Sequence, residues 1–322
     1  MVRQLAKRSS VPPVAAPQGL VATLRPYQLH GLAWLQFFRL HGLAGVLADD
    51  MGLGKTLQTL AHLLVEKNAG RLDRPALVIA PVTLMGNWHK EATRFTPGLR
   101  TLVLHGANRH RAAVYMAQFD IVITPYSLLQ RERWLGQAWH LVVLDEAQNI
   151  KNANSHAAQM AGELNTRHRL CLSGTPMENH LGELWGVFHF LMPGFLGSQA
   201  RFKQRFRTPI EKHGESEPLA QLRLRITPFM LRRNKYDVAT DLPEKQGSIA
   251  SVDLADQQAD LYETIRLTTE KTVREALAGK GLAKSQIQIL DALLKLRQVC
   301  CDPRLCGCQP RKKSSNRPSS NC

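Results

Sequence analysis

The sequence contains no run of about 18 apolar residues, the length that would predict a membrane-spanning helix. Its first 19 residues carry charges and prolines where a secretory signal would need an apolar block. Cysteine is scarce in the body of the chain, because five of the six cysteines lie in the last 23 residues and only Cys171 falls earlier. We therefore expect a soluble intracellular protein with no membrane partner, in a reducing compartment where disulfides are disfavoured.

Acidic residues are also few relative to basic ones. Lysine and arginine number 42 against 26 aspartates and glutamates, a formal net charge of +16. Such a charge favours a polyanionic partner, most often a nucleic acid, and the alternative is a basic surface without a function. With 322 residues, 44% of them hydrophobic, the chain is long enough for about two domains with proper cores.

Short β-branched or leucine-rich runs alternate with helical patterns through residue 190. Each run predicts a strand buried on both faces, as in a parallel sheet. The alternation predicts an α/β domain with a doubly wound sheet, which binds ligands at the carboxyl ends of its strands. The predicted strands cover residues 44–48, 76–80, 101–105, 120–124, 140–145 and 169–174.

Beyond residue 194 the pattern becomes mainly helical and no strand is expected until a strand-like stretch at 247–254. Residues 195–235 carry ten basic and three acidic side chains. Helical patterns cover 256–279 and 284–300. The expected organisation is a disordered leader at 1–19, an α/β lobe at 20–194, a basic helical protrusion and connector at 195–245, a mainly helical region at 246–305 and a disordered tail at 306–322.

The stretch "LADDMGLGKTLQTL" joins a predicted strand to a helix that begins near Lys55. Backbone N–H groups and the positive end of the helix dipole then converge on one point, which suits a phosphate. Lys55 would reach the β and γ phosphates of a nucleotide and Thr56 would bind magnesium. Asp49 replaces the first glycine of the strict G-x-x-x-x-G-K-[ST] pattern, and a glycine turn with a chance lysine is the alternative interpretation.

Two further strand ends carry polar residues. "HLVVLDEAQ" places Asp145 and Glu146 together, where one carboxylate could hold magnesium and the other could orient the attacking water. An ordinary helix N-cap is the alternative for this pair. "LCLSGTPMEN" places Ser173 and Thr175 after a strand, where they could sense the nucleotide, although the string alone indicates only a turn.

Eight motifs in order, including "LRPYQLHGLAWL", "DDMGLGKT", "APVTLMGNW", "DEAQ", "LSGTPMEN", "PFMLRR" and "LRQVCCDP", make residues 24 to about 305 resemble the Swi/Snf-type ATPases. These are double-stranded-DNA translocases of helicase superfamily 2. The resemblance implies a RecA-like ATP-binding lobe, the cofactors ATP and magnesium, and duplex DNA as partner. An RNA helicase of the same superfamily and a non-catalytic basic module with a vestigial ATP site remain alternatives.

The resemblance also implies roles for individual residues, with Gln28 as the reader of the adenine edge and Lys55, Asp145 and Glu146 as the catalytic set. Gln148 replaces the histidine common in eukaryotic remodellers, which favours a bacterial host and argues against a pH switch there. The implied ATP-binding residues are Arg25, Tyr27, Gln28, Asp49, Asp50, Met51, Gly52, Leu53, Gly54, Lys55 and Thr56. The implied magnesium ligands are Thr56 and Asp145, the coupling residues Gln148, Ser173, Gly174 and Thr175, and the DNA contacts Thr124, Tyr126, Arg232 and Arg233.

The resemblance implies that residues 246–305 are the start of the family's second lobe, but the arginine fingers and remaining motifs of that lobe have no counterpart in this sequence. We therefore expect ATP binding with slow turnover, and a chain interrupted near residue 306 by a frameshift or premature stop. Within "CCDPRLCGC" the spacing does not suit zinc. The resemblance implies that Cys300 and Cys301 belong to the "LRQVCCDP" motif and are structural, and the later cysteines are expected to lie in the disordered tail. The biological process, including any RNA polymerase partner, stays open.

Overall fold

A computed structural model describes residues 11–107, 109–129, 133–150, 152–175, 180–238, 251–280 and 282–306. The chain divides into two compact units, Met1–Pro243 and Glu244–Cys322. Within the described part of the chain, none of the helices combines the length and apolarity needed to cross a membrane.

The first unit is built on a parallel sheet, which confirms the predicted α/β, RecA-like doubly wound architecture. Its described strands are β1 Gly45–Leu47, β2 Ala76–Ala80, β3 Thr101–Val103, β4 Ile121–Pro125, β5 Trp139–Asp145, β6 Thr166–Leu172 and β7 Met230–Leu231. These strands follow the spatial order β3-β4-β2-β5-β6-β1-β7 and pair in parallel throughout.

Helices connect the strands and continue beyond them. The α-helices are α1 Pro26–Leu40, α2 Lys55–Asn68, α3 Val82–Phe95, α4 Arg109–Ala113, α5 His156–Glu163, α6 Leu181–Leu191, α7 Gln199–Phe202, α8 Thr208–His213, α9 Ser216–Ile226, α10 Lys235–Val238, α11 Asp256–Lys280 and α12 Leu282–Cys301. Shorter turns are 3₁₀-helical at Met116–Gln118, Tyr126–Leu128, Arg133–Gly136, Ala147–Ile150, Thr227–Phe229 and Pro303–Cys306, and π-helical at Lys203–Arg207.

Alternation along the strands sends side chains into two cores, one on each face of the sheet. In β2, Ala76, Val78 and Ala80 pack with α1, α2 and α3, whereas Leu77 and Ile79 pack with α5 and α6. Both sets are fully buried. A strand covered by helices on both faces therefore needs a continuous apolar sequence, which is why the unbroken hydrophobic runs predicted these strands correctly.

The strand β7 corrects the expectation that the region after residue 194 contains no strand. Met230 and Leu231 pair with Val46 and Leu47 at the edge of the sheet. Two residues are too few for a hydrophobic period, so only the pairing with β1 identifies them as a strand. Of the strand-like stretch at 247–254, residues 247–250 lie outside the described part of the chain, and 251–254 form neither strand nor helix.

The basic segment packs on the far side of α6 through an apolar core of its own. Trp185 and Phe188 of α6 meet Phe202, Phe206 and Leu222 from the helical region that follows. The basic side chains of this region are mostly exposed. The apolar core thus fixes the helices to the first unit and leaves their positive charge facing solvent.

In the second unit α11 and α12 pack against each other, which confirms the two predicted helices. Gln258 donates a hydrogen bond from Nε2 to the Val299 carbonyl at 2.6 Å. Cys300 and Cys301 end α12, but both are free and exposed. The structure thus gives no sign of the structural role expected for them, because neither thiol is buried or bonded to another cysteine.

Candidate functional site

The three polar motifs of the sequence meet at one edge of the sheet. The strands β5, β6 and β1 are neighbours, and all run in the same direction. Asp145 ends β5 and Glu146 follows it, Ser173 follows β6, and the glycine-rich loop follows β1. Motifs as far apart in sequence as Asp49 and Ser173 are therefore adjacent in space.

The glycine-rich loop at 49–54 turns the chain from β1 into α2. Gly52 and Gly54 have φ angles of 86° and 74°, a conformation that only glycine adopts without strain. Gly54 is the N-cap, so α2 begins at Lys55 as predicted and its free N–H groups face the loop. This arrangement is suited to an anion.

The ammonium of Lys55 is held inside this loop. Its Nζ donates to the Asp49 carbonyl at 2.7 Å and lies 3.5 Å from the Asp50 carbonyl. Burial lowers the pKa of Lys55, and the nearby carboxylates, led by Glu146, oppose that change. The side chain is thereby placed over the loop, where it would meet a phosphate bound by the backbone N–H groups.

Asp145 is fixed by contacts on both carboxylate oxygens. Trp88 Nε1 donates to Oδ2 at 2.7 Å, and the Glu146 N–H donates to Oδ1 at 3.0 Å. The Tyr126 hydroxyl donates to the Asp145 carbonyl at 2.8 Å. Burial raises the pKa of Asp145, although the bond from Trp88 opposes it. Glu146 has a φ of 50°, which turns it sharply away from the end of β5.

One cleft of about 220 Å³ brings the loop and the acidic pair together, with α3 as its far wall. The motif "APVTLMGNW", which contains the first half of α3, predicted no role in the site. The spacing of the α3 residues in the sequence could have identified this wall, because side chains at i, i+3 or i+4 and i+7 share one face of a helix. Burial and the nearby Asp145 raise the pKa of Glu91 on this wall. The residues lining the cleft are Met51, Gly52, Gly54, Lys55, Thr56, Leu84, Asn87, Trp88, Glu91, Asp145 and Glu146.

The residues expected to couple the site to movement form a hydrogen-bonded chain. Gln148 Nε2 donates to Glu146 Oε2 at 2.8 Å, and Ser173 Oγ donates to Gln148 Oε1 at 3.0 Å. The Thr175 N–H then donates to Ser173 Oγ at 3.1 Å. Gly174 lies within this chain, between Ser173 and Thr175. A displacement of Glu146 would therefore shift Gln148 and, through it, the loop after β6.

Gln28 lies beside the loop rather than in the cleft. Its Oε1 accepts from the Arg25 N–H at 2.9 Å, and its Nε2 donates to the Leu53 carbonyl at 3.2 Å. The side chain is only 6% exposed. Arg25, Tyr27 and Gln28 do not line the cleft that contains Lys55. The adenine-reading role stays a prediction, and in this structure the amide joins α1 to the loop.

The four expected DNA contacts fall in different environments. Thr124 lies in β4 with no exposed surface, which argues against a contact with DNA. Tyr126 is half-buried against Asp145, and the guanidinium of Arg233 pairs with Asp49 in the interior. Arg232 is exposed. Sequence alone could not separate the two arginines, because their difference arises from long-range pairing.

The donor set of the cleft fits magnesium bound together with a nucleotide. Thr56 and Asp145 both line the cleft and offer the oxygen ligands that magnesium prefers. Within the described ranges, no three histidine, cysteine or acidic side chains form a metal site of their own. A magnesium ion here would need oxygens from phosphates and water to complete its shell.

The arrangement is that of a helicase-like ATPase lobe, and comparison with known proteins agrees. The family model described as SNF2-related domain matches residues 27–305. The chain therefore belongs to the SNF2-related family, the Swi/Snf-type helicase-like ATPases.

Individual relatives come from all three domains of life. YwqA of Bacillus subtilis, provisionally assigned as an ATP-dependent helicase or translocase, is 39% identical over 95% of this chain and 33% of its own length. The ISWI chromatin-remodeling complex ATPase ISW1 of Saccharomyces cerevisiae is 34% identical over 90% of this chain and 26% of its own. The Sulfolobus solfataricus SWI2/SNF2 ATPase core, solved in complex with double-stranded DNA, is 36% identical with a TM-score of 0.69, over 94% of this chain and 63% of that one.

The chain thus spans about a third of YwqA and less than two thirds of the Sulfolobus core.

Proposed function

We propose that this chain binds ATP with magnesium in the cleft between the glycine-rich loop and α3, and that it hydrolyses ATP in response to double-stranded DNA. The convergence of Lys55, Asp145 and Glu146 on one cleft carries this proposal. Membership of the SNF2-related family supports ATP as the substrate. The Sulfolobus relative, which was solved with double-stranded DNA, supports DNA as the partner.

Each residue has a task that its position allows. The amides of the loop and Lys55 would hold the β and γ phosphates. Thr56 and Asp145 would hold magnesium, which neutralises charge that develops on the phosphates. Glu146 would orient the attacking water, and its bond from Gln148 would pass the nucleotide state to Ser173.

DNA would bind through the exposed basic side chains of the helical segment at 199–226 and Arg232. Contacts between cationic side chains and phosphates are insensitive to base sequence and weaken steeply with salt. A DNA partner would place the protein in the compartment that holds the DNA, which in a bacterium is the cytoplasm. An RNA polymerase partner stays a prediction from the sequence.

Nucleotide titration tests the site directly. Lys55→Ala should abolish detectable ATP binding, because the variant removes the cation that is held over the loop at the start of α2. Lys90→Ala is the matched control, since Lys90 is exposed and does not line the cleft. Equal ATP affinity in wild type and Lys55→Ala would refute the assignment.

ATPase measurements with duplex DNA, single-stranded DNA and RNA test the proposed DNA partner. Duplex DNA should stimulate hydrolysis more than single strands or RNA, and stronger stimulation by RNA would favour an RNA helicase. A DNA affinity that depends on salt but not on nucleotide would instead favour a non-catalytic basic module, for which the +16 net charge is the supporting observation.

A further inference from the structure

A short segment that begins at the last residue of β7 runs beside the glycine-rich loop. We call residues 231–235 the connector segment. The Ala48 N–H donates to the Leu231 carbonyl at 2.7 Å, and the Asp50 N–H donates to the Arg233 carbonyl at 3.1 Å. The Lys235 N–H donates to Asp50 Oδ2 at 3.1 Å. The connector segment therefore extends the edge of the sheet along the first residues of the loop.

Arg233 is a charged side chain of this segment that points inward. Its Nε donates to Asp49 Oδ1 at 2.8 Å, and its Nη2 donates to Asp49 Oδ2 and, at 2.8 Å, to Gln58 Oε1. Its Nη1 donates to the Tyr27 carbonyl, and the guanidinium lies 5.3 Å from the centre of the Tyr27 ring. The Arg233 side chain is 10% exposed and that of Asp49 is fully buried. A guanidinium with its donors engaged in this way is not available to a DNA phosphate.

Gln58 carries this contact onward to the loop. Its Nε2 lies 3.3 Å from Asp49 Oδ2 and from the carbonyls of Leu53 and Gly54. Arg233 fixes the other end of the same amide. The guanidinium thus holds the first residue of the loop through Asp49 and its last residues through Gln58. These are the residues that set the direction of the loop N–H groups and of Lys55.

The surrounding helix is shaped around this pair. Gly31 of α1 faces Gln58 and Arg233. A Cβ at Gly31 would overlap Oε1 of the Gln58 side chain and come 3.0 Å from Arg233 Nη2. Only glycine at this position lets α1 approach the pair closely. Without Arg233, the buried carboxylate of Asp49 would have no cation, and an uncompensated buried charge strongly destabilises the folded state. The geometry of the loop therefore depends on Arg233.

We propose that Arg233 is a positioning residue for nucleotide binding, and that the connector segment links the basic helices to the phosphate loop. This inference rests on the proposed function, because it assumes that the nucleotide bound at the loop is ATP. The basic helices end at Ile226, a few residues before β7, so a displacement of these helices would move Arg233 and with it Asp49. DNA contact at the basic helices and nucleotide contact at the loop would then influence each other through one ion pair.

Adjacent arginines provide the discriminating experiment. Arg233→Met should weaken ATP affinity by about tenfold or more and leave duplex-DNA affinity within about twofold of wild type. Arg232→Met should lower DNA affinity, because its exposed side chain is free of the loop contacts that hold Arg233. Arg233→Lys keeps the charge without the bidentate geometry and should restore only part of the ATP affinity. Loss of DNA affinity without loss of ATP affinity in Arg233→Met would overturn the proposal.

A double-mutant cycle tests whether Arg233 acts through its ion pair with Asp49. Asp49→Asn combined with Arg233→Met removes both buried charges, so the double variant should fold, as judged by circular dichroism, even where a single variant does not. Its loss of ATP affinity should be smaller than the product of the two single losses. Independent, multiplicative losses would contradict coupling through this ion pair.

Hydrogen exchange separates this inference from the proposed function. In nucleotide-free protein, Arg233→Met should speed exchange of the amides at 50–56, whereas Arg232→Met should not. Unchanged exchange in Arg233→Met would refute the positioning role even if ATP binds. A wild-type chain that binds no ATP would refute the proposed function, while faster exchange in Arg233→Met would still support the role of Arg233 in the loop.

Discussion

The indole of Trp88 donates a 2.7 Å hydrogen bond to Oδ2 of Asp145, joining helix α3 to the acidic end of strand β5. Trp88 is 1% exposed and Asp145 is 7% exposed, so water does not compete strongly for the bond. Oδ1 is already occupied by the Glu146 N–H. Trp88 therefore fixes the orientation of a carboxylate that is proposed to hold magnesium.

Trp88→Phe should weaken the magnesium-dependent part of ATP binding. A hydrogen bond to a charged group contributes about 1.5–3 kcal/mol, so its loss predicts a decrease of about tenfold or more in affinity for ATP with magnesium. Affinity for ATP measured in chelator should change little, because phenylalanine keeps most of the apolar contact. Calorimetric titration in the two buffers provides the comparison.

Trp185→Phe is the matched control for that change. Trp185 is also buried, and its Nε1 donates to the Gly197 carbonyl at 3.0 Å in the core of the basic segment. It should lower stability without a specific effect on magnesium. Equal changes in magnesium dependence for both tryptophan variants would show that the Trp88 bond has no particular role at the site.

Gln148→Ala and Ser173→Ala should separate ATP binding from hydrolysis. Gln148 bonds to Glu146 and Ser173 bonds to Gln148, but neither lines the cleft. We expect ATP affinity within about twofold of wild type and single-turnover hydrolysis lower by about tenfold, the cost of one misplaced hydrogen-bond partner. Gln159→Ala, an exposed glutamine on α5, should leave both quantities unchanged. A fall in affinity alone would contradict the relay.

The sequence predicted the elements of the site better than their connections. The runs before Lys55 and Asp145 are local patterns, so the strand ends and the loop could be located from spacing alone. The pairing of Arg233 with Asp49 joins residues 184 apart in sequence, and nothing in the composition of either neighbourhood distinguishes a buried arginine from an exposed one. The same holds for Trp88, whose role depends on the approach of α3 to β5.

Lower pH should destabilise the first unit through a buried histidine cluster. His62 and His140 are 3% and 1% exposed beside the fully buried Glu66, and His168 packs edge-on against His140. Burial lowers the pKa of His62 to about 3 and that of His168 to about 4. Although burial raises it, the His140 ring, whose Nε2 lies 3.5 Å from Oε2, and hydrogen bonds from Arg71 hold the pKa of Glu66 below its ordinary value.

These shifts give the pH dependence a definite sign. Below an unfolded pKa of about 6.5 the unfolded chain binds protons that the folded histidines resist, so the free energy of unfolding falls as pH falls. His62 alone would contribute a loss of about 2 kcal/mol between pH 6.5 and pH 5. Urea unfolding at both pH values should show the loss. The loss should shrink in His62→Gln and persist in His213→Gln, where the histidine is exposed; an unchanged pH dependence in His62→Gln would contradict the assignment.

Thr124→Val distinguishes the buried position of Thr124 from the DNA contact that the sequence resemblance implies. Thr124 is fully buried in β4, and within the described residues its Oγ1 has no hydrogen-bond partner. Valine has nearly the same shape and removes a buried, unsatisfied hydroxyl, so the free energy of unfolding should rise by about 1 kcal/mol. Thr96 is equally buried, but its Oγ1 donates to the Ala92 carbonyl at 3.0 Å, so Thr96→Val should lower stability by about the same amount. Because β4 keeps Thr124 away from solvent, DNA affinity should be unchanged in both variants, and a specific loss in Thr124→Val would restore the case for a DNA contact.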